Sequence, residues 1–169
     1  MQPGETLRDL FAHGARPRCY IASPLGFSET TRRYYTDVYL PALAKHVQPV
    51  DPWSLTTEAE IAAARDAGVL REFFLEVAAR NAKAIVGCDL LVAQLDGKEV
   101  DSGTAVEVGY AVGLGKPALG VRNDLRRAGE AEMAVNLQVE GLIVQSGGFV
   151  ATSLDELCGL LKSAASYHR

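Results

Sequence analysis

The amino-acid sequence predicts a doubly wound α/β fold, in which a five-stranded parallel sheet carries helices on both faces. Two observations support this fold class. Short apolar runs rich in strand-forming residues alternate along the chain with longer segments whose apolar residues recur at helical spacing. One short run, LLVAQL at residues 90–95, is apolar almost throughout, as expected for a central strand that is buried on both faces.

The predicted strands end in residues that are typical of turns and loops. Arg18 opens the first strand, RCYIAS, which precedes the turn-like sequence PLGFSE, and VQPVDPW contains the second strand. KPALGVR and LIVQS have the short apolar character expected of a fourth and a fifth strand. The strands are predicted over residues 18–23, 47–53, 90–95, 116–122 and 142–146.

The segments between the strands have helical patterns. Tyrosines at helical spacing predict a first helix that starts at Ser28 and that Pro41 kinks or ends. Gly68 is expected to separate the next two helices. The remaining helices are predicted over residues 69–86, from 102–104 onward, and from a capping signal at Ser153 and Glu156 to about Ala165.

Length and composition predict one globular domain over residues 1–169, of which residues 1–17 form a polar leader. The formal net charge of -4 argues against a nucleic-acid-binding surface, which needs a basic patch. No apolar run approaches the roughly 20 residues that span a bilayer, so no membrane partner is expected. The leader lacks the basic start and apolar core of a signal peptide, and we therefore expect a cytoplasmic protein.

The sequence predicts neither a metal site nor a cofactor site. Cys19, Cys88 and Cys158 are far apart and odd in number, which disfavours a disulfide framework or a zinc site, and we interpret them as small buried hydrophobic residues. The histidines have no partner at metal-ligand spacing. The loop after the first strand also lacks the GxGxxG sequence of dinucleotide-binding proteins.

Doubly wound sheets bind their ligands in the crevice at the carboxyl ends of the strands. The loops SPLGF, DPW, DGKEVDSG and RNDLRR all follow predicted strands and therefore border this crevice. Asp89 lies at the other end of the central strand, about 20 Å away, and is expected to have a structural role. The arginines after the fourth strand are candidates to reach a phosphate, namely Arg122, Arg126 and Arg127.

One carboxylate, Glu107, stands in a run without other charges, DSGTAVEVGYAVGLGKP, between Asp101 and Lys116. A buried carboxylate is costly unless it is compensated. With Asp96 and Asp101 it clusters around the loop and helix start that follow the central strand. An ionised, poorly hydrated carboxylate beside other acids suits nucleophilic attack on an acetal-like carbon, as in retaining glycosyl transfer. The alternative is structural, with Glu107 only capping the helix and Asp101 an ordinary residue of the loop before it.

The segment from NAKAIVGCD to GVRND, followed by VNLQVEG, resembles the nucleoside 2-deoxyribosyltransferase family between Arg18 and Gly141, and D-S-G-T-A-x-E-x-G-Y-A is its most specific part. The resemblance implies that Glu107 attacks C1' of a 2'-deoxynucleoside, that the base leaves, and that a second base takes the sugar with net retention. It implies that Asp101 contacts the base and helps to move its proton, with Asp96 as a second candidate. Gly103 lies in the same motif and is predicted to contact substrate.

The resemblance also implies roles for residues outside this motif. Tyr20 matches a tyrosine close to the catalytic glutamate. Asn136 matches an asparagine that holds the nucleophile and a sugar hydroxyl, often from a neighbouring subunit, which implies a homo-oligomer. Asn81 stands where many members have aspartate and others asparagine, so a base contact is predicted, whereas the proton role of the aspartate is not carried over to this amide. Gln138 replaces a methionine of many members, so base packing is expected to differ.

Two aromatic residues border the predicted crevice. Trp53, the only tryptophan, and Phe27 are candidates to stack on a nucleobase, the alternative being an ordinary hydrophobic lid. The substrates implied are 2'-deoxynucleosides and free nucleobases. Two other functions fit the same residues: an N-glycosidase in which water resolves the intermediate, and a non-catalytic nucleotide-binding module of the same fold.

Overall fold

The computed structural model describes residues 5–12, 16–126 and 128–166. Its strands form one parallel sheet with the order β2-β1-β3-β4-β5, which is the flavodoxin-like order of doubly wound proteins. This confirms the predicted fold class. The strands are β1 (Arg18–Ala22), β2 (Gln48–Val50), β3 (Leu90–Gln94), β4 (Ala118–Val121) and β5 (Val150–Ala151).

The sheet has helices on both faces because side chains alternate along its central strands. Cys19 and Ile21 of β1 belong to one buried cluster, and Tyr20 and Ala22 belong to the other. α1, α3 and α8 contribute to the first cluster, and α5, α6 and α7 to the second. The helices are α1 (Glu5–Phe11), α2 (Glu29–Tyr34), α3 (Leu40–Ala44), α4 (Glu58–Asp66), α5 (Leu70–Val86), α6 (Ser102–Gly113), α7 (Leu137–Gln145) and α8 (Leu154–Ser166).

The central strand matches its prediction closely. All residues of β3 are buried, and it pairs with β1 on one side and β4 on the other. The chain passes from β1 outward to β2 and then returns to place β3 on the opposite side of β1. This reversal creates a crevice beside the carboxyl ends of β1 and β3.

The predicted strand at 142–146 is wrong. Most of this segment lies in α7, and the fifth strand is the short β5, which follows it. The apolar run LIV resembles a strand, but Asn136 caps a helix there, and Val139 and Ile143 are buried one helical turn apart. Helical packing therefore decides the conformation of this run.

Pro41 does not end the first long helix. A π-helical stretch, Tyr35–Tyr39, joins α2 to α3, and Pro41 lies near the start of α3. Proline has no N–H to donate to the preceding turn, and the wider π-helical turn directly before it accommodates this loss. The π-helical stretch also buries the side chains of Tyr35 and Tyr39.

The N-terminal segment is not only a polar leader. It contains α1, and Leu7 and Phe11, one turn apart on this helix, are buried in the core. Asp89 has the structural role predicted for it, because its Oδ2 accepts a hydrogen bond from the backbone N–H of Arg18 at 2.7 Å. Within the described residues, none of the helices combines the length and apolar character needed to cross a membrane.

Candidate active site

A cavity of about 350 Å³ lies where β1, β2 and β3 end. Its size is within the range of small-molecule sites. The loops after β1 and β2 form one part of its lining, and α4, α5 and α6 form the rest. The lining residues are Ser23, Phe27, Pro52, Trp53, Thr56, Ile61, Phe74, Val77, Asn81, Asp101, Gly103, Thr104 and Glu107.

Glu107 faces this cavity from the second turn of α6 and is held by Tyr20. The Tyr20 hydroxyl donates to Glu107 Oε1 at 2.5 Å. Tyr20 is fully buried in the middle of β1, so its ring cannot move easily and the bond fixes the orientation of the carboxylate. Among the described residues nothing bonds Oε2, which is left for a ligand.

The surroundings of Glu107 change its proton affinity. Burial raises the pKa of this carboxyl above its ordinary value, and the nearby Asp101 raises it further, while the hydrogen bond from Tyr20 lowers it. Burial and the same hydrogen bond raise the pKa of Tyr20, so its proton stays on the phenol. The result is a partly buried carboxylate with a permanent hydrogen-bond donor on one oxygen.

Asp101 is the N-cap of α6. Its Oδ2 accepts hydrogen bonds from the backbone N–H of Thr104 at 2.9 Å and from the Thr104 hydroxyl at 3.2 Å. Gly103 lies against this carboxylate, since a Cβ there would be 3.1 Å from Asp101 Oδ2. Among the described residues nothing bonds Oδ1, so Asp101 can cap α6 and contact a ligand at the same time.

Trp53 and Phe27 both line the cavity, as the sequence predicted. Their rings are 4.5 Å apart between centroids and nearly perpendicular, an edge-to-face contact. Trp53 Nε1 donates to the Ser23 carbonyl at 3.2 Å, and Gly26 leaves room for the indole, because a Cβ there would lie 2.4 Å from it. Phe27 is 72% exposed and Trp53 37%, so both have free ring surface.

Asp51 fixes the turn that carries Trp53. Its Oδ1 accepts hydrogen bonds from the Tyr35 hydroxyl at 2.6 Å and from the backbone N–H of Trp53 at 3.1 Å. Tyr35 lies in the π-helical stretch, so this stretch supports the tryptophan through Asp51. The hydrogen bond between Asp51 and the Trp53 N–H is local and follows from the sequence DPW, in which an aspartate caps a turn that begins with proline.

Asn81 lines the cavity from α5. Phe74 and Val77, for which the sequence predicted only a place in this helix, line the cavity too. Phe74, Val77 and Asn81 are spaced by three and four positions, which places them on one face of the helix. That spacing was the available signal. Thr56 was missed altogether, since nothing distinguishes it in the sequence from the neighbouring Thr57.

Three predicted substrate-binding residues do not line the cavity. Asp96 Oδ1 accepts hydrogen bonds from the backbone N–H groups of Asn123 and Asp124, at 2.7 and 2.9 Å, and joins the loops after β3 and β4. Asn136 caps α7 by accepting from the N–H of Gln138 at 3.0 Å. Asn136 and Gln138 are both exposed, and their substrate contacts stay a prediction.

The arginines after β4 have structural partners. Arg122 is buried and donates to the carbonyl groups of Leu95 and Gly97, at 2.6 and 3.1 Å. Arg126 forms an ion pair with Asp124. Arg127 lies outside the described residues. Within the described part of the chain, no group of three or more His, Cys, Asp or Glu side chains is arranged to hold a metal.

The sequence profile of the family described as nucleoside 2-deoxyribosyltransferase matches residues 19–153. The chain belongs to the nucleoside 2-deoxyribosyltransferase family. The match includes Tyr20, Asp101 and Glu107, the residues that the fold brings together at the cavity. Membership in the nucleoside 2-deoxyribosyltransferase family therefore agrees with the resemblance seen in the sequence.

Solved structures share the fold of this family member. A conserved protein from Enterococcus faecalis V583 is 25% identical, with a TM-score of 0.62 over 88% of this chain and 99% of that one. A 2-deoxyribosyltransferase from Bacillus psychrosaccharolyticus is 19% identical, with a TM-score of 0.59 over 83% and 89%. The CMP N-glycosidase BcmB from Clostridium botulinum is 20% identical, with a TM-score of 0.50 over 86% and 98%. The sequence matches none of the curated proteins compared with it.

Proposed function

We propose that this family member exchanges nucleobases between 2'-deoxynucleosides through a covalent deoxyribosyl-glutamate intermediate. One observation carries the proposal: Glu107 lines the cavity with Oε1 held by the Tyr20 hydroxyl and with Oε2 unbonded among the described residues. A carboxylate oriented in this way, and poorly hydrated, is suited to attack an anomeric carbon.

The reaction needs two displacements at C1'. Glu107 Oε2 forms a bond to C1' while the C1'–N bond breaks, and the electron pair of that bond stays on the nitrogen of the leaving base. Asp101 assists the transfer of a proton to this base, using the oxygen that the helix cap leaves free. A second base then attacks C1', releases Glu107 and gives up its proton through the same carboxylate, so that protons balance and the configuration at C1' is retained.

The rest of the cavity fits a nucleobase better than a phosphate. Trp53 and Phe27 offer ring surfaces for stacking, and the side chains of α4 and α5 add apolar contacts. None of the described residues that line the cavity is lysine, arginine or histidine. Arg122 donates to backbone carbonyl groups, and Arg126 pairs with Asp124. These features favour nucleosides over nucleotides as substrates.

A homo-oligomer is part of the proposal, with the protein acting in the cytoplasm and without a cofactor. Asn136 is exposed and outside the cavity of its own chain, which suits a role in the site of a neighbouring subunit. Gln138, two residues further along the chain, is also exposed. Light scattering on the wild type and on Asn136→Ala tests this part of the proposal. The variant should keep the oligomeric state of the wild type and lose base-exchange activity.

A second candidate is an N-glycosidase, in which water takes the place of the second base. This second candidate is supported by the structural likeness to the CMP N-glycosidase from Clostridium botulinum, which extends over nearly all of that chain. The two reactions share every step up to the covalent intermediate. They differ only in the acceptor, so the same assay separates them.

The deciding experiment is incubation with deoxyinosine, with and without free adenine. A transferase forms deoxyadenosine in the β configuration only when adenine is present. A hydrolase releases free deoxyribose at the same rate in both reactions and forms no deoxyadenosine, and that result would exclude the transferase. A non-catalytic binding module would produce neither product.

A further inference from the structure

Two buried oxygen atoms at the cavity lack hydrogen-bond partners. Thr56 Oγ1 and Asn81 Oδ1 are both shielded from solvent, and neither has a partner among the described residues. Both residues line the same cavity, together with the apolar side chains of Ile61, Phe74 and Val77. A buried polar atom without a partner costs free energy, so such atoms in a native protein call for an explanation.

Thr57 shows that this is not a general property of the segment. The Thr57 hydroxyl accepts from the backbone N–H of Glu60 at 3.2 Å and donates to the Glu60 carboxylate at 2.9 Å, and so caps α4. The adjacent Thr56 has the same side chain and lines the cavity, but its hydroxyl has no partner among the described residues. The Thr57 hydroxyl therefore stabilises the fold, whereas the Thr56 hydroxyl is left without such a role.

We propose that Thr56 contacts the nucleobase, and that it recognises the polar edge of the base together with Asn81. This inference rests on the proposed function, because that function places the glycosidic nitrogen beside Glu107 and Asp101. The edge of the base farthest from the sugar then meets the remaining lining residues. Thr56 and Asn81 supply polar atoms within an otherwise apolar part of that lining.

The chemistry of the Thr56–Asn81 pair defines the ligand. Asn81 Oδ1 can only accept a hydrogen bond, so it needs an N–H donor, which an amino group or a lactam N–H provides. The Thr56 hydroxyl donates to an acceptor next to that donor, such as the neighbouring ring nitrogen or carbonyl oxygen. The pair therefore favours bases with a donor and an acceptor side by side over bases with an apolar edge.

Binding of free bases tests this inference without requiring turnover. The ligands are adenine and benzimidazole, which keeps two fused rings for stacking but has no polar atom on its six-membered ring. Affinities are measured by calorimetry on the full-length protein, with the fluorescence of the single tryptophan, Trp53, as a second signal. Thr56→Val removes the hydroxyl at nearly constant volume, Thr56→Ser retains it, and Thr57→Val is the matched control.

The expected result is a selective loss. Thr56→Val should weaken adenine binding about tenfold and leave benzimidazole binding unchanged, while Thr56→Ser should bind adenine about as the wild type does. Thr57→Val should bind both bases normally and melt at a lower temperature, because it loses the cap of α4. Unchanged adenine binding in Thr56→Val, or equal losses for adenine and benzimidazole, would overturn the inference.

The same preparations separate this inference from the proposed function. If the wild type exchanges bases but Thr56→Val binds adenine normally, only the role of Thr56 is wrong. If the selective loss of adenine binding occurs in a protein that does not exchange bases, the recognition role is supported and the transferase reaction is excluded.

Discussion

Two groups of polar side chains line the cavity, and they differ in how their hydrogen bonds are satisfied. The acidic pair, Glu107 and Asp101, is tied to the protein through one oxygen each, by Tyr20 and by Thr104. The Thr56–Asn81 pair presents buried oxygen atoms without partners among the described residues. The first pair is held in place by the protein itself, whereas we infer that the second is satisfied only when a ligand binds.

Under the proposed function, the first pair carries out the chemistry and the second recognises the base. A group that reacts gains from being held in one orientation, because no reorganisation is then needed at the moment of reaction. A group that discriminates between ligands gains from being unsatisfied, because the wrong ligand leaves it without a partner. Substitutions in each group, beginning with Glu107, test this division.

Glu107→Gln should abolish base exchange, with a loss of about 10³-fold or more, because an amide cannot act as the nucleophile. The amide oxygen can still accept from Tyr20, so the melting temperature should change little. Exchange is measured with deoxyinosine and adenine, and circular dichroism checks the fold. Activity near the wild-type level would remove Glu107 from the chemistry and with it the distinction between the two pairs.

Asp101→Asn should lower kcat about 10²-fold, since it removes the carboxylate that moves the proton but retains a good N-cap residue. Asp101→Ala should lose a similar amount of activity and in addition about 1 kcal/mol of stability, because α6 loses its cap. Thermal unfolding and kinetics on both variants separate the two roles. Equal stability of the two variants would show that the cap contributes little.

The pH profile of kcat/KM should fall on the acidic side as Glu107 is protonated, with an apparent pKa above the ordinary glutamate value because burial raises it. Tyr20→Phe removes a hydrogen bond that favours the ionised carboxylate. The pKa should therefore rise further, and the acidic limb should move to higher pH. A limb that stays in place would mean that the Tyr20 hydroxyl orients Glu107 without affecting its charge.

Gly26→Ala should displace Trp53, because the added Cβ would overlap the indole, and weaken base binding about tenfold through lost stacking. Adenine and benzimidazole should be affected alike, in contrast to the selective effect expected at Thr56. Changes in Trp53 fluorescence report the displacement directly. Normal binding of both bases would show that Trp53 is a lid and not a stacking surface.

Local patterns predicted most of the fold. The apolar run of β3, the helical spacing of α5, the break at Gly68 and the cap at Ser153 all appear where the sequence indicated them. The fifth strand was misplaced because the apolar run in α7 suits either a strand or a helix. Its burial against neighbouring elements made it helical, and no local signal shows that packing.

The candidate site was predicted in part. Glu107, Asp101, Trp53 and Phe27 do line one cavity, because each lies in a segment that follows a strand whose carboxyl end is in the crevice, and Asn81, expected from the resemblance, lines it from α5. Asp96 follows the central strand as well but turns toward the loop after β4. Distance along the chain from a strand end does not determine which way a loop side chain points.

The alternation of strands and helices and the position of a single glutamate in an otherwise uncharged helix can be read from the sequence. These are properties of neighbouring residues, and they follow from periodicity and short-range hydrogen bonding. The bond from Tyr20 to Glu107, 87 residues away, and the placement of Thr56 rather than Thr57 at the cavity depend instead on tertiary packing. Such contacts depend on strand order and helix packing, which join segments that no local pattern relates.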